Sequence, residues 1–190
     1  MKRTALAFIA GASVTAFGSN VSGKVELPGG KGAGNAVVYL EGGAHATPLK
    51  HATVDQRERT FIPHVSVITV GTTVQFPNDD TIFHNVFADY DAKKFDLGMY
   101  PQGRSKKMTF DKAGLVVLMC SIHPDMGAYL MVVDTPYFAT ADKKGRFSIA
   151  NVPPGRYTLK AWHESGKVDS REVVVSGDQT VNVELHRGRL

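Results

Sequence analysis

The chain has 190 residues, is 43% hydrophobic and 21% charged, and carries a formal net charge of +4 from 22 basic and 18 acidic side chains. That length and balance suit one or two globular domains and leave no basic stripe or aromatic-studded basic strand of the kind that binds nucleic acid. The single cysteine, Cys120, excludes an internal disulfide framework, so its thiol is buried, ligated or reactive.

At the N-terminus, Lys2 and Arg3 precede an uncharged run of apolar and small residues that ends at "TAFG". This pattern predicts a secretory signal over residues 1–18 and a periplasmic or otherwise exported mature protein. The run is shorter than the roughly 20 apolar residues needed to cross a bilayer, so no membrane span is expected once it is removed. Loss of Lys2 and Arg3 would lower the net charge to +2.

Beyond the signal, short β-prone runs alternate with Gly, Pro, Asn and Asp, and no apolar period of 3.6 residues persists for the length of a helix. The predicted class is all-β. "VSGKVEL" and "NAVVYLEG" flank the turn-rich "PGGKGAG" and read as a hairpin or a looped pair of strands. Those glycines lack the Lys-Ser/Thr and following helix of a phosphate-binding loop. From His51 to Asp134, "FIPHVSVITVG", "TTVQFPNDD", "FHNVFADY", "SKKMTFDKAG", "LVVLMCS" and "GAYLMVVD" are strands spaced by turns, as a β-sandwich requires. After Asp134, turns at Asp142–Gly145 and Pro153–Gly155 alternate with strands, and Val181, Val183 and Leu185 fall on one face.

The stretch "TADKKGRFSIANVPPGRYTL" resembles the carboxypeptidase regulatory-like domain, a small transthyretin-like β-sandwich. In that family the motif follows a first strand of the form seen here as "VSGKVELPGGKGAGNAVVYLEGG". The resemblance implies one discontinuous sandwich from residues 19–50 and 135–190, with residues 51–134 inserted in a loop. Insertion at an exposed loop tip is well tolerated. The alternative keeps residues 19–50 with the central module.

The stretch "VVLMCSIHPDMGAYLMVVD" places Cys120, His123 and Met126 three residues apart between two apolar runs. A thiolate, imidazole nitrogens and a thioether are the ligands of a mononuclear blue-copper site, two His and one Cys with a weak axial Met. The missing histidine would come from another strand, and "FPNDDTIFHNVF" offers His84. Singly, Cys120 and Met126 could be core residues and His84 a hydrogen-bonded interior histidine. A closed structural zinc set is disfavoured without a C-x2-C pair, and no orienting group marks a Cys-His nucleophile.

"FPNDD...FHNVF" followed by "AGLVVLMCSIHPDM" resembles the cupredoxins, the plastocyanin and amicyanin family, with the short amicyanin-type ligand loop. The resemblance implies a Greek-key cupredoxin β-sandwich beside the second small sandwich. It implies one type 1 copper held by His84, Cys120, His123 and Met126. Asn85 would tie its strand to the ligand loop near Ser121 and offer its backbone N–H to the Cys120 sulfur, and Asn78 would brace the loop before His84. The expected role is a one-electron carrier without catalysis of its own, met by redox partners at His123 through Ile122, Pro124 and Gly127.

Copper trafficking or storage with the same ligands, or a cell-envelope interaction module with a secondary copper site, are the competing roles. His45, His51, His64, His163 and His186 are expected at the surface, near turns or strand ends. "DYDAKKFD" lacks the Gly and Glu of a calcium loop. Arg104, Lys106 and Lys107 read as a solvated strand edge.

Overall fold

The computed structural model describes residues 18–187; the predicted signal segment lies outside the described residues, apart from Gly18. The fold is all-β, with 19 strands and no helix among the described residues. None of these residues forms a helix long and apolar enough to cross a membrane.

Strands before His51 pair with strands after Asp134. Ser19–Leu27 runs antiparallel to Arg146–Val152 and parallel to Gln179–Thr180 and Val183–Glu184. Val37–Glu41 lies between Phe138–Thr140 and Gly155–His163, and Lys167–Val175 follows. The two sheets enclose Val21, Val25, Val38, Leu40, Ile149, Leu159, Val183 and Leu185. Of the two readings of "VSGKVEL" and "NAVVYLEG", the looped pair of strands is found and the hairpin is corrected. Ser19–Leu27 pairs locally only with Lys31–Gly32, and Val37–Glu41 belongs to the other sheet. Gly29 and Gly30, at φ of 91° and 79°, a region that glycine enters at little cost, close the reversal from Leu27 to Lys31 within the first sheet, and the chain crosses to the other sheet only after Gly32.

The strands between pair among themselves. One sheet runs Val65–Thr69, His123–Val133, Gly114–Cys120, Phe87–Tyr90 and Lys93–Asp96. Thr72–Pro77 and Ser105–Phe110 form a facing ribbon, and Asp55–Arg57 with Thr60–Ile62 forms a short hairpin joined to it by the Gln56–Asn78 bridge. The enclosed core contains Phe61, Phe76, Phe110, Val116, Leu118, Leu130 and Met126.

A third core lies where the two sandwiches meet. Because successive side chains of a strand point to opposite faces, Leu130 and Val132 enter one sandwich while Met131 and Val133 point out of it. Val38 and Leu40 likewise face inward, while Val37 and Tyr39 join Met131, Val133, Val65 and Trp162. His163, beside Trp162, is buried, at 9% exposure, rather than at the surface as expected. Its Nδ1 accepts from the Ser165 N–H and meets the Ser165 hydroxyl, which caps the strand end.

Candidate metal centre

Cys120 closes the strand Gly114–Cys120, whose alternating Val116, Leu118 and Cys120 point into the core. The chain reverses at once through Ser121 and Ile122, so that His123 pairs with Cys120. The reversal precedes Pro124 and does not involve it. Met119 pairs with Gly127, which leaves Pro124, Asp125 and Met126 as a bulge. Met126 turns inward from it and is 2% exposed.

His84 reaches the same place from a different segment. Its backbone N–H donates to Tyr100 O and its carbonyl accepts from Tyr100 N–H, at 3.2 and 2.9 Å. The ring is fully buried. The Nδ1 atoms of His84 and His123 are 3.0 Å apart. Cys120 Sγ lies 3.5 Å from His123 Nδ1 and 3.9 Å from His84 Nδ1. The centre of the circle through three atoms so spaced lies about 2.0 Å from each, a normal metal–nitrogen distance. His84, Cys120 and His123 thus form a metal-capable cluster.

Electrostatics keeps the donors available. His84 Nε2 is 2.9 Å from Asp80 Oδ2. The Asp80 carboxyl is held below the usual carboxylate range, chiefly by the Arg59 N–H and then by His84. Ionised, it accepts the Nε2–H, and His84 Nδ1 keeps its lone pair. His123 is pushed below the ordinary imidazole range, first by desolvation and then by its neighbours His84 and Arg59, and Asp80 opposes the shift. At neutral pH its ring is therefore uncharged and able to ligate. One thiol, two imidazoles and a nearby thioether are soft and borderline donors that fit a copper ion.

The expected supports take these positions. Asn85 Oδ1 accepts from the Ser121 N–H at 2.7 Å and from the Ser121 hydroxyl at 2.9 Å. Among the described residues, the hydrogen-bond neighbours of Cys120 Sγ are the two histidine rings, and the Asn85 backbone N–H is not one of them. Asn78 Nδ2 donates to Ile82 O and Tyr100 O, and its Oδ1 accepts from the Asp80 N–H, so it shapes the loop before His84. Sequence reasoning missed Asp80, Tyr100 and the buried Gln56. The available signal was an acidic residue four positions before His84 in a turn-forming "PNDD". It also missed Phe83, 55% exposed, which with Ile122, 50% exposed, immediately precedes a clustered histidine. Pro124 is exposed and Gly127 partly so.

The family model described as "Polysaccharide lyase family 4, domain II" matches residues 112–183, less than half of the chain. It is not the carboxypeptidase regulatory-like domain that the turn pattern after Asp134 resembles. No curated protein matches the chain. Among solved structures, the chain is similar to a purple cupredoxin from Nitrosopumilus maritimus. That similarity has 26% identity and a TM-score of 0.40, over 43% of this chain and 99% of the other. A copper-containing nitrite reductase from Thermus scotoductus SA-01 is similar at 30% identity and a TM-score of 0.44, over 51% of this chain and 25% of its own. A reduced amicyanin mutant is similar at 21% identity and a TM-score of 0.40, over 50% of this chain and 98% of its own.

Proposed function

We propose that the chain is an exported type 1 copper protein that carries single electrons between redox partners. His84, Cys120, His123 and Met126 would hold one copper in a module of residues 51–134 inserted into a second sandwich. The observation that carries this reading is the convergence of two Nδ1 atoms and one Sγ about a point some 2.0 Å from each. Bound copper would supply the Cu(II)/Cu(I) couple.

The protein's own residues supply the rest. His84 and Cys120 are buried in packed structure and exclude water from two sides of the site. Asn85 fixes the turn that carries His123. A cage held so from several segments resists rearrangement between oxidation states. His123, only half buried and rimmed by exposed Ile122 and Phe83, is the docking point for a transient redox partner. Export is supported by Lys2 and Arg3 before an apolar run.

The test is titration of the purified protein with Cu(II), read by visible absorption and EPR. An intense charge-transfer band with one equivalent bound, lost in Cys120→Ala, is expected. A colourless protein at full copper occupancy would refute the type 1 assignment.

A second reading, an interaction module of the cell envelope, is favoured by a groove of about 770 Å³ along the junction of the two sandwiches. Tyr39, Tyr129 and Trp162 line it beside the Glu41–Lys160 ion pair. Grooves between domains are common ligand sites, and the polysaccharide lyase name of the matching family makes glycans the class to try. Retention on an immobilised polysaccharide that is indifferent to copper would favour this role over electron transfer.

A further inference from the structure

Asp80 stands behind the buried ligand with its orientation fixed at both oxygens. Oδ2 accepts from His84 Nε2–H at 2.9 Å and from the Arg59 N–H at 2.8 Å. Oδ1 accepts from the Thr81 N–H at 2.7 Å, and the Asp80 N–H donates to Asn78 Oδ1 at 3.0 Å. The side chain is 11% exposed, against none for His84.

The Arg59 contact comes from the hairpin of Asp55–Arg57 and Thr60–Ile62, whose turn residues Glu58 and Arg59 have φ of 50° and 55°. Two consecutive positive φ values make the tight, strand-matched reversal of a hairpin, which delivers the Arg59 N–H to Asp80. The same hairpin reaches His84 by a second route. Gln56 Nε2 donates to the Tyr100 hydroxyl at 2.5 Å and to Pro77 O at 2.9 Å. The Tyr100 backbone in turn brackets His84.

We propose that Asp80, braced by this hairpin, is a positioning residue that fixes the tautomer of His84 and biases the site toward Cu(II). A neutral imidazole has one N–H, and a carboxylate at Nε2 keeps it there, leaving the Nδ1 lone pair for metal. The anionic partner also makes Nδ1 a stronger donor. Cu(II) carries the larger charge and gains more from that donation than Cu(I), so the reduction potential is lowered. In the metal-free protein the same tautomer makes His84 Nδ1 an acceptor, and His123 Nδ1–H donates to it across 3.0 Å.

The inference rests on the copper reading, and the experiment separates the two. In the full-length, metal-free protein, long-range nitrogen–proton NMR of the His84 ring is expected to show the proton on Nε2. In Asp80→Asn, which keeps the shape and an acceptor but removes the charge, Cu(II) affinity should fall about tenfold relative to Cu(I). That ratio is a rise of about 59 mV in a one-electron potential. Asp80→Ala should also release the proton to both ring nitrogens in the metal-free protein. A His84 proton on Nδ1 in the parent protein, or an unchanged potential in both variants, overturns the proposal. If the parent protein binds no copper, the copper reading and the bias toward Cu(II) fail together. The ring spectra of the parent and Asp80→Ala then still decide whether Asp80 sets the tautomer.

Discussion

Cys120 and His123 are direct cross-strand partners although only Ser121 and Ile122 separate them. The three residues that follow have no partner on the opposing strand until Gly127 meets Met119. A bulge bends its strand and re-aims its side chains. Here it lets Met126 turn inward while His123, three residues earlier, stays half exposed.

That geometry makes Met126 the axial candidate. Met126→Leu, a volume-conserving change that costs under about 1.5 kcal/mol in a core, should retain copper and colour. It should raise the reduction potential, because a lost weak donor costs Cu(II) more than Cu(I). Voltammetry of both proteins checks this, and equal potentials would assign the axial position to another group.

Asn85 holds the turn through two bonds to Ser121 and donates to Asp96 Oδ1 at 3.1 Å. Asn85→Ala removes three hydrogen bonds, each worth about 0.5–1.5 kcal/mol, and should destabilise the metal-free protein by about 1–3 kcal/mol. It should also speed copper release. Asn85→Asp should not rescue it, since it sets a second carboxylate against Asp96. Urea unfolding and copper transfer to a chelator are the measurements.

Trp162 is 5% exposed, in the core between the sandwiches, and packs on Tyr129 with ring centroids 5.2 Å apart. Trp162→Ala should cost about 3–5 kcal/mol. It should split a single calorimetric transition into two, only one of which shifts upward on copper loading. A single transition that stays single would show that other contacts couple the sandwiches.

The Asp142 carboxyl is lowered to about 2, first by the Arg146 N–H and then by its guanidinium. A carboxylate with a depressed folded-state pKa stabilises fully above its unfolded value near 3.9 and loses that contribution as pH falls toward 2. Asp142→Asn should therefore melt below the parent at pH 7. The gap should narrow between about pH 4 and 2, as thermal melts across that range would show.

The three clustered metal donors were legible because Cys120 and His123 lie close in sequence and His84 is a histidine within an apolar strand pattern. Asp80 was not, because a turn aspartate looks the same whether it caps its own loop or braces a ligand. The choice between a hairpin and a looped pair stayed open for a similar cause: "PGGKGAG" marks a reversal but does not say which sheet Val37–Glu41 joins. The third core did leave a trace. In "LVVLMC" and "YLMVV" apolar residues are continuous rather than alternating, the pattern of strands covered on both faces. His163 carried no such trace: it continues the inward face of Leu159 and Ala161 at a strand end, where a histidine reads as a surface residue.

The strand His123–Val133 begins in the metal cluster and ends in the core between the sandwiches. From Gly127 to Val132 it is laddered to Gly114–Met119, and from Tyr129 to Val133 also to Val65–Thr69. Over roughly 20 Å, at the usual rise of a strand, it is a stiff rod whose one joint is the bulge at Pro124–Met126. At its far end Val133 packs with Val37, Tyr39 and Trp162, so the strand that seats His123 is also one of the beams on which the second sandwich rests.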